Sequence, residues 1–124
     1  MEITISELCT KLENILLSCS CLDGFYVGET DNLDETEERH KLEGFHSTIL
    51  LAIGLHSIVT YAEEYMISYF KKSSLKEKFQ NKGDYSVGSQ TANKIYVSIK
   101  IKPYQIEELD DDIIDWPAVF NLKS

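Results

Sequence analysis

The chain has 124 residues, 43% of them hydrophobic and 27% charged, which is the balance of an ordinary globular domain and excludes a disordered chain. One domain is expected, long enough to bury a core without disulfide or metal staples. A formal net charge of −9 excludes the broad basic face on which most nucleic-acid binders rely, leaving at most a local basic strip for a polyanion.

The three cysteines, Cys9, Cys19 and Cys21, form no spaced framework, and no secretory leader is recognisable at the N-terminus. A reducing, cytoplasmic setting is expected. Cys19-x-Cys21 is two thiols short of a metal site and is assigned to half-buried thiols in a strand. The most apolar run, Ile49 to Leu55, is far too short to cross a membrane, so a soluble protein with no membrane partner is expected.

In chain order, Thr4-x-x-Glu7 is a capping box, followed by Leu8, Leu12, Ile15 and Leu16 at helical spacing; a helix over residues 1–18 follows. A strand is predicted from about Cys19 to Val27, irregular near Gly24 and ending at Gly28. Asp34 to Leu42 is helical but nearly devoid of core residues, so this helix is expected to lie on the surface, with His40 solvated. Phe45 to Ile53 has the continuous apolar character of a strand covered on both faces. Ser57 is a candidate N-cap for a long helix from Ile58 to about Lys72.

On that helix Ile58, Val59, Ala62, Tyr65, Met66, Ile67, Tyr69 and Phe70 form one apolar arc. Glu63 falls inside the arc and Glu64 outside it. A carboxylate among core residues must be paired, protonated or bound to a cation. A metal, a salt bridge to Arg39 or Lys94, and a backbone donor all satisfy that requirement. Ser73 to Lys78 allows one more helical turn, and Asn81 to Asn93 is a long Gly/Ser/Asn-rich loop. Ile95, Val97, Ile99 and Ile101 alternate with Tyr96, Ser98 and Lys100, a clear strand stopped by Pro103. Residues 103–124 make an acidic tail, Glu107 to Asp112, followed by apolar residues able to dock on the domain or on a partner.

The segments Tyr26-Val27-Gly28-Glu29-Thr30-Asp31-Asn32-Leu33, Ala62 to Phe70 around Glu63, and Asn81-Lys82-Gly83 with Gly88 together resemble the GIY-YIG nuclease superfamily, over roughly Phe25 to Ile101. The resemblance implies an α+β fold: a small antiparallel three-stranded sheet flanked by helices over residues 19–102, here with an extra N-terminal helix. It implies metal-dependent hydrolysis of a phosphodiester, with DNA as partner and one Mg²⁺ or Mn²⁺ held by Glu63. Tyr26, His40 and Asn81 fill the matching catalytic slots. Two departures stand out. No G-[IV]-Y block precedes Phe25, so one family tyrosine is missing. Thr36 stands where the family Arg is expected, and Arg39, the one Arg of the chain, lies three residues on near the same helical face. With these departures and the charge of −9, the alternative is a fold relative without turnover, acting through an acidic surface on a basic protein partner.

Overall fold

The computed structural model describes residues 1–81, 90–102, 114 and 116–123. Eight elements follow in the order β1 (Glu2–Ile3), α1 (Ile5–Leu17), β2 (Leu22–Thr30), α2 (Leu33–Leu42), β3 (Ser47–Ile53), α3 (His56–Lys71), β4 (Lys94–Ile101) and β5 (Phe120–Leu122). The α+β class holds. The expected three-stranded antiparallel sheet becomes a mixed five-stranded one, ordered β1-β5-β3-β4-β2.

β4 runs antiparallel to both β2 and β3, while β5 pairs parallel with β3 and with β1. The two added strands are two and three residues long, too short for an alternating pattern to register. Part of the expected tail is thereby built into the sheet, with Phe120 and Leu122 buried. The acidic run Glu107 to Asp112 lies outside the described residues, as does the loop segment 82–89 with Gly83 and Gly88.

Local chemistry explains the helix boundaries. The capping box at α1 is closed, Thr4 accepting from the Glu7 N–H at 3.1 Å while the Glu7 carboxylate returns to Thr4. α2 starts at Leu33, because the Asn32 side chain accepts the Glu35 N–H at 3.1 Å. α3 begins at His56, before the expected cap Ser57; Leu55 holds the cap position without a side-chain bond. Ser73 to Lys78 forms turns, not a further helical turn. Cys19 and Cys21 precede β2 in a turn, buried, with their sulfurs 3.1 Å apart.

Strand alternation assigns the two sheet faces. Phe25, Val27, Ile95, Val97 and Ile99 point to one face, where Leu8, Leu12 and Leu16 of α1 and Val59, Ala62, Met66 and Phe70 of α3 complete the core. Phe70 meets Phe25 edge-on at 5.1 Å between ring centres. Tyr26, Gly28, Tyr96, Ser98 and Lys100 belong to the other face, which α2 covers.

Candidate functional site at the edge of β2

β2 is an edge strand, and its outer backbone groups are satisfied in three different ways. The Phe25 N–H donates to the Lys78 carbonyl at 2.9 Å, and the Phe25 carbonyl accepts from the Gln80 N–H at 2.7 Å. At Val27 the Asn81 side chain replaces a strand: its Oδ1 accepts the Val27 N–H at 2.9 Å and its Nδ2 donates to the Val27 carbonyl at 2.8 Å. At Glu29 the N–H donates to the Glu63 carboxylate, reaching over from α3. Two residues expected in one catalytic group thus both seal the strand edge.

Beyond that edge, between α2 and α3, lies a cleft of about 510 Å³, lined among others by Tyr26, Glu29, Arg39, His40, Glu63 and Tyr96. Four of the five residues singled out in the sequence converge here. Asn81 does not line it, since its amide is consumed by Val27.

His40 corrects the expectation of a solvated surface residue. It is 3% exposed, with its ring 5.1 Å from that of Tyr26 and 5.0 Å from that of Phe45. Its Nε2 lies 3.1 Å from the Tyr96 hydroxyl, and its buried Nδ1 has no partner among the described residues. Burial lowers its pKa, so the ring is held neutral. α2 is likewise less superficial than its charged sequence suggests, because Thr36 is buried too. The Thr36 hydroxyl sits 2.8 Å from that of Thr30, which also accepts the Asn32 N–H at 3.0 Å. Thr36 therefore braces the turn into α2.

Arg39 extends from α2 beside the cleft, its side chain 62% exposed and 4.0 Å from the Glu43 carboxylate. That ion pair is solvent-screened and weak, leaving the guanidinium available to an anion. Its charge acts on Tyr26 and on Tyr96, in each case favouring the phenolate against burial. Burial nevertheless raises both phenols, with the Glu63 charge adding to the effect on Tyr26.

Glu63 is 8% exposed, and its carboxyl is pushed up to about 7, first by burial and then by the neighbouring Glu29 charge. The Glu29 N–H partly offsets this by favouring the charged form. Of the partners left open by the sequence, the backbone donor is the one present: Lys94 instead donates to the Asp31 carbonyl and to Asn93 Oδ1, and Glu63 makes no ion pair among the described residues. Glu29 itself accepts from the Thr60 hydroxyl at 3.0 Å.

No protein-family model, curated protein or solved structure matches the chain. No helix among the described residues is long and apolar enough to cross a membrane.

Tyr96 and Glu29 were not singled out by the sequence. Glu29 was legible only as a polar position after Gly28. Tyr96 carried a signal in the alternation of β4, where it stands on the face away from the isoleucines. Opposite it in register stands Gly28, and a Cβ there would lie 2.5 Å from the Tyr96 hydroxyl oxygen. Gly28 is therefore what lets the phenol lie across β2. The other histidines take structural partners, His46 on the Ser47 hydroxyl and His56 on the Ala92 carbonyl, both at 2.8 Å.

Proposed function

We propose that the protein is a GIY-YIG-like phosphodiester hydrolase that depends on a divalent cation and acts on DNA. The observation that carries this reading is the convergence of Tyr26, Arg39 and Glu63 on one cleft, with no cationic side chain paired to Glu63 among the described residues. Arg39 takes the anion-binding role that Thr36 cannot fill. The tyrosine missing upstream has a counterpart in Tyr96, on the strand paired with β2, so the two tyrosines stand in reversed chain order.

The residues fit a Mg²⁺ or Mn²⁺ ion in a specific sense. Among the described residues no group of three His, Cys, Asp or Glu side chains is placed to hold a metal. Mg²⁺, however, is commonly held by one or two carboxylates with water and substrate phosphate completing its shell. Glu63, buried and raised to about 7, gains most from a cation, and Glu29 is its neighbour. Such an ion would offset the carboxylate charge and polarise a phosphoryl oxygen. The chain's own residues supply the rest: Arg39 binds the phosphate, and Tyr26 orients the attacking water from the floor of the cleft.

A second reading is favoured by the charge of the lining. Glu29, Asp31, Glu35, Glu43 and Glu63 face one arginine and a neutral imidazole. Without turnover, that surface suits a basic protein partner. Cleavage of plasmid and branched DNA with Mg²⁺ or Mn²⁺, beside Glu63→Gln and Arg39→Ala, separates the two. The nuclease reading expects cleavage that each change lowers by about 100-fold or more. Cation-independent inertness of the unaltered protein favours the binding module.

A further inference from the structure

We infer that Tyr96 is a substrate-contacting hydrogen-bond donor, a neutral phenol whose proton is turned into the cleft by His40, and that its acceptor is an anionic phosphoryl oxygen. The acceptor rests on the phosphodiester reading above; the direction of the proton rests on geometry.

The placement comes first. Tyr96 projects from the α2 face of β4 directly across from Gly28, and the bare glycine backbone leaves the phenol room to reach the cleft wall at the β2 edge. The His40 ring that meets it is buried and packed against Tyr26 and Phe45, which restricts its rotation.

The tautomer follows. A neutral imidazole carries one N–H. On Nδ1 that proton would be a buried donor with no acceptor among the described residues, a costly arrangement. On Nε2 it meets the Tyr96 oxygen at 3.1 Å. Nε2–H therefore donates and the phenol oxygen accepts. Arg39, the cation beside the same oxygen, can also only donate. With His40 donating to it and Arg39 offering no acceptor, the phenol directs its own proton away from them, toward the open side of the cleft.

The chemistry is that of a preorganised donor. A hydrogen bond aimed at a developing or resident oxyanion, held by a buried ring that needs no rearrangement, stabilises charge where water is excluded. Burial keeps the phenol protonated, which suits a donor and not a base. His40 is then a positioning residue: it touches Tyr96, not substrate. The two tyrosines divide the work, Tyr26 toward water and Tyr96 toward the phosphoryl oxygen.

The test pairs a tautomer measurement with kinetics. Long-range ¹H–¹⁵N correlation on the unaltered, ¹⁵N-labelled protein should give the Nε2–H form of His40; the Nδ1–H form would overturn the inference. With Mn²⁺ and bis(4-nitrophenyl) phosphate as probe, Tyr96→Phe should lower kcat by roughly 10- to 100-fold with KM little changed. His40→Gln, whose amide N–H falls near the place of Nε2, should retain most of kcat, while His40→Asn, which is too short, should lose as much as Tyr96→Phe. Unchanged kcat in Tyr96→Phe, or equal loss in both His40 variants, would contradict the assignment. No hydrolysis by the unaltered protein would sink the phosphodiester reading and the named acceptor with it, leaving the tautomer to judge the proton's direction.

Discussion

The two faces of the sheet are held by different physics. Against α1 and α3 the contacts are almost wholly apolar, from Leu8 and Leu12 to Val97 and Phe70. Against α2 the buried groups are polar or amphipathic: Thr48 on Ser98 at 2.7 Å, Thr30 on Thr36 at 2.8 Å, and His40 on Tyr96 at 3.1 Å. Hydrophobic burial is non-directional, whereas each of these hydrogen bonds fixes an orientation. The apolar face supplies stability, and the polar face, with the cleft at its β2 edge, supplies geometry.

The largest effect should come from breaking the apolar face. Phe70→Ala removes a fully buried ring and should cost about 3–5 kcal/mol in urea unfolding. On the opposite face, Thr48→Val strands the buried Ser98 hydroxyl and should cost only about 1–3 kcal/mol. Equal losses would erase the distinction between the faces.

Next in size is a pH effect at the cleft, where the α3 helix contributes its one buried charge. The Glu63 carboxyl rises from an ordinary 4.5 to about 7 on folding, so the folded protein binds more protons than the unfolded chain between those values. Its contribution to stability is full below about 4.5 and is lost as pH climbs through about 7. Thermal melts from pH 4 to pH 8 should therefore show Glu63→Gln gaining on the unaltered protein by up to roughly 3 kcal/mol. His40 runs the opposite way, its lowered pKa withdrawing stability as pH falls, but it cancels in the difference between the two proteins. Millimolar Mg²⁺ should narrow that difference at pH 8. A difference that does not vary with pH would show that Glu63 is not raised.

The smallest effect is at the strand edge. Asn81→Ala frees the Val27 N–H and carbonyl, groups that water can reach in part, and should cost about 1–2 kcal/mol while sparing the cleft. Hydrogen exchange at Val27 should quicken, with Tyr96 amide exchange unchanged. Loss of the cleft's chemistry in this variant would return Asn81 to the catalytic group.

How much of this was legible followed from range. The α1 capping box, the alternation of β4 and the misfit of Glu63 in an apolar arc are local patterns, and each is present in the structure. The burial of His40 was not legible because only two buried residues anchor α2, too few to give its charged sequence a face. Tyr96 depended on cross-strand register with Gly28, sixty-eight positions earlier by chain order and adjacent only once β4 enters beside β2. The sequence marks Asn81 but not its bonds to Val27, because a carboxamide that clamps a strand and one that faces a substrate look alike in sequence. β1 and β5, two and three residues long, are too short to show an alternating pattern.

The most direct measurement is the location of a bound cation in solution. Titrating Mn²⁺ into ¹⁵N-labelled protein broadens amide signals near the ion. The account predicts that Gly28 to Thr30 and Thr60 to Glu64 broaden first, and that Glu63→Gln abolishes the effect. Broadening centred elsewhere, or unchanged by Glu63→Gln, would contradict the cation site on which the proposed hydrolysis depends.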